Sequence, residues 1–261
     1  MLTEQELDRV CVVLVRARNP NNIGAVARAM HDFGFKRLRV VNEFAMPFEA
    51  AKSAVDASAV MADAVVSASV AEAVADCTLV VGTTAVGERD LQHELMSLRE
   101  AAPRVLAEAR SDAGRVALLF GSEKTGLSNE ELSHCNWLLT IPMWEHAGVR
   151  HPSMNLGQAV AVCLYELVRE GTGSAAGSGN GAVAGLGAAA DSVAAGELER
   201  LTTLLNEVLE ETGYMRHHPA NSDAAQVRRL VRRMGADAND APVWMGILRQ
   251  VLWKLRRSCE L

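Results

Sequence analysis

Three short stretches carry residue types suited to gripping a polar ligand. They are Asn19-Pro-Asn-Asn-Ile-Gly-Ala-Val-Ala-Arg28, Phe120-Gly-Ser-Glu-Lys-Thr-Gly-Leu127, and Ile141-Pro142 followed by Ser153-Met-Asn-Leu-Gly-Gln-Ala159. Each places Gly, Asn, Ser, Glu or Arg just beyond an apolar run, which in an α/β protein is where strands end and ligands bind. The chemistry on offer is a guanidinium and backbone N–H groups for anions, a carboxylate at Glu123, and a hydroxyl and a carboxamide at Ser153 and Asn155.

In the first stretch Ile23, Val26, Ala27 and Met30 recur at helical spacing, which predicts an amphipathic helix from Asn21 or Asn22 to Gly34. Arg28 follows Ile23 by five residues, about 140° around the axis, off the apolar stripe and free to face a ligand. Gly24, one turn earlier on that side, leaves room for the guanidinium or a bound phosphate. A capping Asn, a packing Gly and a surface Arg fit the same residues.

In the second stretch Gly121 and Gly126 bracket Ser122-Glu-Lys-Thr125 after the apolar run Val116–Phe120, and Ser128 with Glu131 forms a capping box for the next helix. An ordinary βα turn fits these residues equally well. In the third, Leu156, Ala159, Val160, Cys163, Leu164 and Leu167 repeat at helical spacing, so Ser153 and Asn155 mark a helix start. Ser153 is most simply the N-cap.

The elements that must position these stretches are strands at Val10–Val15, Arg37–Val41, Cys77–Val81, Val116–Phe120 and Leu138–Ile141, separated by helical segments. That alternation predicts a parallel sheet with helices on both faces. Residues 1–170 form this domain. Residues 171–196, almost all Gly, Ala and Ser, bury too little surface to fold alone and are expected to be a linker. From 197 to 261 the pattern is helical, with stripes through Leu198–Leu209, Val227–Met234 and Val243–Leu255, giving a small all-α module.

With 49% hydrophobic residues and a net charge of −6, the chain is neither disordered nor basic overall. The charge is nonetheless uneven: residues 226–257 hold eight basic side chains against two acidic ones. Arg228, Arg229, Arg232 and Arg233 supply an electrostatic footprint for nucleic acid, or else a solvated helix face. Five cysteines without a CxxC pair, an acidic N-terminus and the lack of an uninterrupted apolar span predict a cytoplasmic protein without membrane insertion. His146 and His151 match no metal-ligand spacing, so no metal is expected. Gly171–Gly177 follows a helix rather than a strand and opens a low-complexity tract, which argues against a dinucleotide loop.

Taken together, Asn22-x-Gly24-x-x-x-Arg28, Gly121-x-Glu123-x-x-Gly126, Ser153-x-Asn155 and Val81-Gly-Thr-Thr-Ala85 resemble the motifs of the SPOUT class of RNA methyltransferases. The resemblance lies in the TrmH-like 2′-O-ribose branch and is strongest to the bacterial TrmJ-type tRNA methyltransferases, over residues 10–168. Thr212-Gly-Tyr214 and the Arg228–Arg233 cluster resemble the helical appendage of that type.

The resemblance implies a parallel α/β sheet ending in a deep trefoil knot, S-adenosylmethionine as methyl donor, and a homodimer with shared active sites. It implies 2′-O-methylation of cytidine or uridine at anticodon-loop position 32 of tRNA. By the same carry-over, Thr83, Thr84, Ala85, Gly121, Ile141, Ser153 and Met154 touch the donor. Arg28, Glu123, Ser153 and Asn155 form the catalytic set, with Glu123 orienting Arg28 or the donor's amine. Asn22, Arg28, Arg228, Arg229, Arg232 and Arg233 contact the RNA. A guanidinium holds its proton too tightly to be a ready base, so a phosphate grip with alkoxide stabilisation is favoured for Arg28, and the role of base stays open.

Met154 stands where the family usually has Leu, Val86 where it usually has Arg, and the stretch Met143–Pro152 is long. Two other functions share these motifs: ribose methylation of ribosomal RNA, and RNA binding without turnover. A C-terminal rather than N-terminal appendage favours tRNA, and the intact polar set favours turnover.

Overall fold

The computed structural model describes residues 2–42, 57–85, 92–144, 153–169, 192–221 and 223–258. In chain order the elements are α1 (Glu4–Leu7), β1 (Val10–Val15), α2 (Pro20–Asp32), β2 (Arg37–Val41), α3 (Ser58–Ala62), β3 (Val65–Ser67), α4 (Val70–Ala73), β4 (Leu79–Thr83) and β5 (Leu95–Ser97). They continue with α5 (Leu98–Arg110), β6 (Val116–Phe120), α6 (Asn129–Leu132), β7 (Trp137–Thr140), α7 (Leu156–Arg169), α8 (Ala195–Glu211), α9 (Tyr214–His217), α10 (Ala224–Arg233) and α11 (Asp240–Ser258).

The seven strands form one sheet in the order β3-β2-β1-β6-β4-β7-β5, and every pair is parallel. β1 and β6 are buried at every position, as continuous apolar runs must be when helices cover both faces. One core includes Leu14, Ile23, Met30, Phe120, Leu139 and Leu164 beneath α2, α5 and α7. The opposite face buries Val13, Val80, Leu119, Leu132 and Leu138.

Three expected strands match the structure, β4 and β7 are displaced along the chain, and β3 and β5 were unexpected. Thr83 belongs to β4 because it pairs with Leu139 of β7. β3 and β5 are three residues long, too short for a period of two to register.

Helix α2 starts earlier than its apolar stripe indicates. Asn19, not Asn21 or Asn22, is the N-cap: its side chain accepts from Asn21 N at 3.0 Å, and Pro20 opens the helix. The far end turns at Gly34, whose φ of +82° suits glycine. The capping box of Ser128 and Glu131 forms as expected.

Residues 170–191, most of the expected linker, lie outside the described residues. Its last residues join the fold. Val193 is buried, and Ala195 N and Gly196 N donate to Cys77 O and Ala75 O, so α8 begins against the sheet domain. Helices α8, α10 and α11 share a small core of Leu198, Leu201, Val231, Ala241, Met245 and Leu248.

Candidate active site

The neighbouring strands β6, β4 and β7 release their following segments at one end of the sheet, where a cavity of about 650 Å³ opens. That size suits an organic ligand of moderate mass. Thr83 at the end of β4 lines it with Thr84 and Ala85, Gly121 through Leu127 after β6, and Ile141, Met143, Ser153 and Met154 after β7, with Phe120, Leu139, Leu156 and Ala159 as an apolar wall. All seven residues expected to touch the donor are in this lining.

The walls are tied to one another. Thr83 Oγ1 donates to Leu119 O at 2.8 Å, and Thr84 N donates to Leu139 O at 3.0 Å. The segment after β6 closes on itself through Gly126 N to Ser122 O at 2.9 Å and a 2.8 Å contact between the Ser122 and Thr125 hydroxyls. A Cβ at position 121 would lie 2.1 Å from the carbonyl carbon of Gly126, so only glycine lets this segment fold back on itself.

Beside the cavity a polar relay joins three segments. Asn155 Nδ2 donates to Asn22 Oδ1 at 3.2 Å, and Asn22 Nδ2 donates to Glu123 Oε1 at 2.9 Å. Burial pushes the Glu123 carboxyl upward, but donation from Asn22 and from the backbone N–H groups of Glu123, Asn19 and Arg18 outweighs it, holding the group below its ordinary value. Glu123 is therefore ionised at neutral pH. Asn155 is the residue that caps α7: its Oδ1 accepts from Gly157 N at 3.0 Å. Ser153 instead lines the cavity, which corrects the expectation that it caps the helix. Gly157 allows α7 to close on α2, since a Cβ there would lie 2.7 Å from the Ala25 Cβ.

Arg28 is exposed on α2, has no hydrogen-bonding or ion-pair partner among the described residues, and is not in the cavity lining. The expected contact of Glu123 with Arg28 is absent within the chain, because Glu123 is engaged by Asn22 and Asn19. Gly24, expected beside the ligand, is buried in the packed part of α2.

The arginine cluster of α10 is the larger correction. Arg228 donates from Nε to both carboxylate oxygens of Glu199 at 3.0 and 3.1 Å and from Nη1 to Ser133 Oγ at 2.8 Å. Arg229 and Arg232 are each 8% exposed, whereas Leu230 and Met234 of the same helix face solvent. Arg228 thus ties α10 to α6 and α8, Arg229 lies 3.8 Å from Asp223 at the N-cap of its own helix, Arg232 is buried, and of the four only Arg233 is exposed. Long side chains can bury their stems where carboxylates meet their heads.

Lys124 and Thr125 line the cavity without having been singled out from the sequence. Their enclosure between Gly121 and Gly126 was the available signal. Val86 and the stretch 145–152, including His146 and His151, lie outside the described residues.

Comparison with known proteins agrees with this geometry. Residues 9–165 match the model of the SpoU rRNA Methylase family. The tRNA (cytidine/uridine-2′-O-)-methyltransferase TrmJ of Pectobacterium atrosepticum is 33% identical over 247 residues, covering 94% of this chain and 97% of that protein. TrmJ of Salmonella typhimurium is 32% identical over 251 residues, covering 94% and 97%. The crystal structure of TrmJ from Z. mobilis ZM4 superposes with a TM-score of 0.74 at 27% identity, covering 92% of this chain and 98% of that one. With the family model matching more than half of the chain, and relatives this similar along nearly all of it, the chain belongs to the SpoU rRNA methylase family.

Proposed function

We propose that the protein transfers the methyl group of S-adenosylmethionine to the 2′-hydroxyl of a ribose in tRNA, at cytidine or uridine in anticodon-loop position 32. One observation carries this reading: the residues matching the family's donor site come from three separate segments yet line one cavity. Similarity to TrmJ along nearly the whole chain supports tRNA as the substrate.

The cavity's size and its mix of apolar wall and backbone donors suit a nucleoside carrying a charged sulfonium. When bound, that group supplies an electrophilic methyl. The chain's own residues supply position and charge. The segments 83–85 and 121–126 hold the donor. Glu123, ionised and fixed by Asn22, supplies negative charge beside the cationic ligand. Ser153 and Asn155 place the nucleotide, with Asn155 locked by its cap to Gly157 N.

Arg28 grips the phosphate beside the target and stabilises the alkoxide as the hydroxyl loses its proton. Exposed on α2 and without a partner among the described residues, Arg28 is free to serve the cavity of a second copy, which is consistent with the homodimer with shared sites that this reading includes. The RNA-contacting surface of the helical module is α11 with Arg233. On α11, Arg249, Lys254 and Arg257 are exposed among Trp244, Ile247 and Trp253, and the Arg257 guanidinium sits 4.8 Å from the Trp253 ring centroid. The reaction belongs to the cytoplasm and calls for no metal.

The test is transfer of labelled methyl from S-adenosylmethionine to bulk tRNA and to ribosomal RNA, by wild type and Arg28→Ala, followed by nucleoside mapping. A 2′-O-methyl mark in the anticodon loop that is lost in the variant is expected. Label confined to ribosomal RNA, or donor binding without transfer, would overturn the assignment.

A further inference from the structure

Arg16 directly follows β1 and is the one non-glycine residue with a left-handed backbone among the described residues, at φ 56°. Such a conformation is uncommon and persists only where surrounding contacts fix it. Here the contacts are specific. Arg16 N donates to Val41 O at 2.9 Å, which holds its backbone to the end of β2. Its side chain then crosses to the segment after β6. Nε donates to Glu131 Oε1 at 2.5 Å and Nη2 to Glu131 Oε2 at 2.9 Å, a bidentate pair. The same Nη2 also donates to Gly126 O at 3.1 Å.

Both anchors of this clamp are themselves fixed. The side chain of Glu131 is 9% exposed, and Glu131 Oε2 accepts from Ser128 N at 2.6 Å, so it is set by the capping box of α6. Donation from Arg16 and Ser128 overrides the upward push of burial and keeps the Glu131 carboxyl below its ordinary value, hence charged. Gly126 is the residue against which Gly121 packs, with a positive φ of its own at 66°. Its carbonyl therefore sits at the closure of the cavity's central loop.

We infer that Arg16 is a positioning residue: through Gly126 O and Glu131 it fixes the loop 121–127 in the shape that receives the methyl donor, without touching the donor itself. Arg16 is absent from the cavity lining. This rests on the reading of that cavity as the donor site. Its geometry specifies a guanidinium, because one planar fork must serve a carboxylate and a carbonyl together, which the single ammonium of lysine cannot do in the same arrangement.

The experiment titrates S-adenosylmethionine into wild type, Arg16→Lys, Arg16→Gln, Glu131→Gln and the double Arg16→Gln/Glu131→Gln variant, with thermal melting of each and steady-state rates on tRNA. Arg16→Lys should keep the ion pair and the wild-type melting temperature yet bind the donor about tenfold more weakly, the size of one charge-assisted hydrogen bond. The loss should appear in KM for the donor, with kcat at saturating donor and KM for tRNA within about twofold of wild type, a split that general loosening of the fold would not give. Where the glutamine variants fold, the double variant should bind no more weakly than Arg16→Gln. Donor affinity of Arg16→Lys within about twofold of wild type, or an equal loss in KM for tRNA, would overturn the inference even if both glutamine variants unfold. Failure of wild type to bind the donor would instead overturn the reading of the cavity and this inference with it.

Discussion

Replacing Gly121 with alanine tests whether the loop after β6 forms the donor site. A Cβ there would lie 2.1 Å from the carbonyl carbon of Gly126, 2.2 Å from Leu127 N and 2.6 Å from Gly126 O. All three are backbone atoms, so no side chain can swing away. Ordinary contact begins near 3.4 Å, which leaves a deficit of 1.3 Å to be met by moving the loop itself. A misplacement of about 1 Å can cost a catalytic constellation on the order of 10²-fold in rate, and a displaced loop that supplies several backbone donors to one ligand is expected to lose affinity on the same scale. Gly121→Ala should therefore weaken S-adenosylmethionine binding about 100-fold in calorimetric titration. Gly126→Ala is the internal control: nothing lies within 4 Å of its Cβ, and only its φ of +66° opposes alanine, at about 1–2 kcal/mol. That variant should melt lower while binding the donor within about tenfold of wild type, provided the φ is retained. A Gly121→Ala protein with wild-type affinity would refute the argument that close backbone approach shapes the cavity.

Three further outcomes follow from the same geometry. Glu123→Gln keeps the shape but removes the charge held by Asn22 and backbone donors, so single-turnover methyl transfer should fall about tenfold or more with the fold intact; an unchanged rate would dismiss a role for that charge. Arg228→Ala removes the donor to Glu199 and Ser133 at the contact of α10 with α6 and α8, and should destabilise the protein by about 2–4 kcal/mol in urea titration and speed proteolysis within residues 192–258. His134, 3% exposed, is pushed down to about 4, first by burial and then by the Arg228 guanidinium. Its folded pKa lies below the unfolded value, so its neutral form favours folding above about pH 6.5 and that stability is lost as pH falls toward 4. At pH 5 the loss should be about 2 kcal/mol relative to pH 8, and His134→Gln should flatten the dependence; an equal slope in the variant would place the titration elsewhere.

How much of this was legible in sequence depended on whether a feature is local. β1 and β6 are uniformly apolar runs, β2 alternates Arg37 and Arg39 with Leu38 and Val40 before Val41, and α2 and α7 carry long stripes, so each is legible from its own residues. The capping box at Ser128 is likewise a property of four consecutive positions. The order of the strands is not local: β6 lies between β1 and β4, although β1 starts at Val10 and its partner β6 only at Val116, with four other strands between them in the chain. Spacing places Asn22 and Asn155 at helix starts and Glu123 in the turn after a strand, but their mutual hydrogen bonds exist only once β6 and β7 bring the loops to α2. Asn155 and Ser153 offer equivalent capping chemistry, and the exact entry of α7 against Ala25 decides between them.

The arginines of α10 show why charge counted along a chain does not translate into a binding face. Helical spacing put Val227, Leu230, Val231 and Met234 on one stripe, and that stripe would have left Arg228, Arg229 and Arg232 in water. The folded helix rotates instead to bury Val227, Val231, Arg229 and Arg232, leaving Leu230 49% and Met234 42% exposed. Two apolar side chains lose their shelter so that cations can meet Glu199, Glu130 and Asp223. Half-exposure of one leucine forgoes roughly 1 kcal/mol, which the ion pairs can offset only if each buried guanidinium finds a partner, because the carboxylates of Glu130 and Asp223 are themselves mostly exposed. Arg228 meets that condition with three partners, whereas Arg232 Nε has no hydrogen-bonding partner and burial lowers its pKa. Among the arginines the contact is thus held chiefly by Arg228, beside the apolar packing of Val231 on Leu198 and Leu201, and replacing Arg228 should favour release of α10 with its buried arginines. In the released state the basic surface would grow by the very side chains the sequence had assigned to RNA, so salt-dependent tRNA binding by Arg228→Ala should have a slope at least as steep as that of wild type. A shallower slope would show that Arg228 itself contacts phosphate and that the buried arrangement gives way when RNA binds.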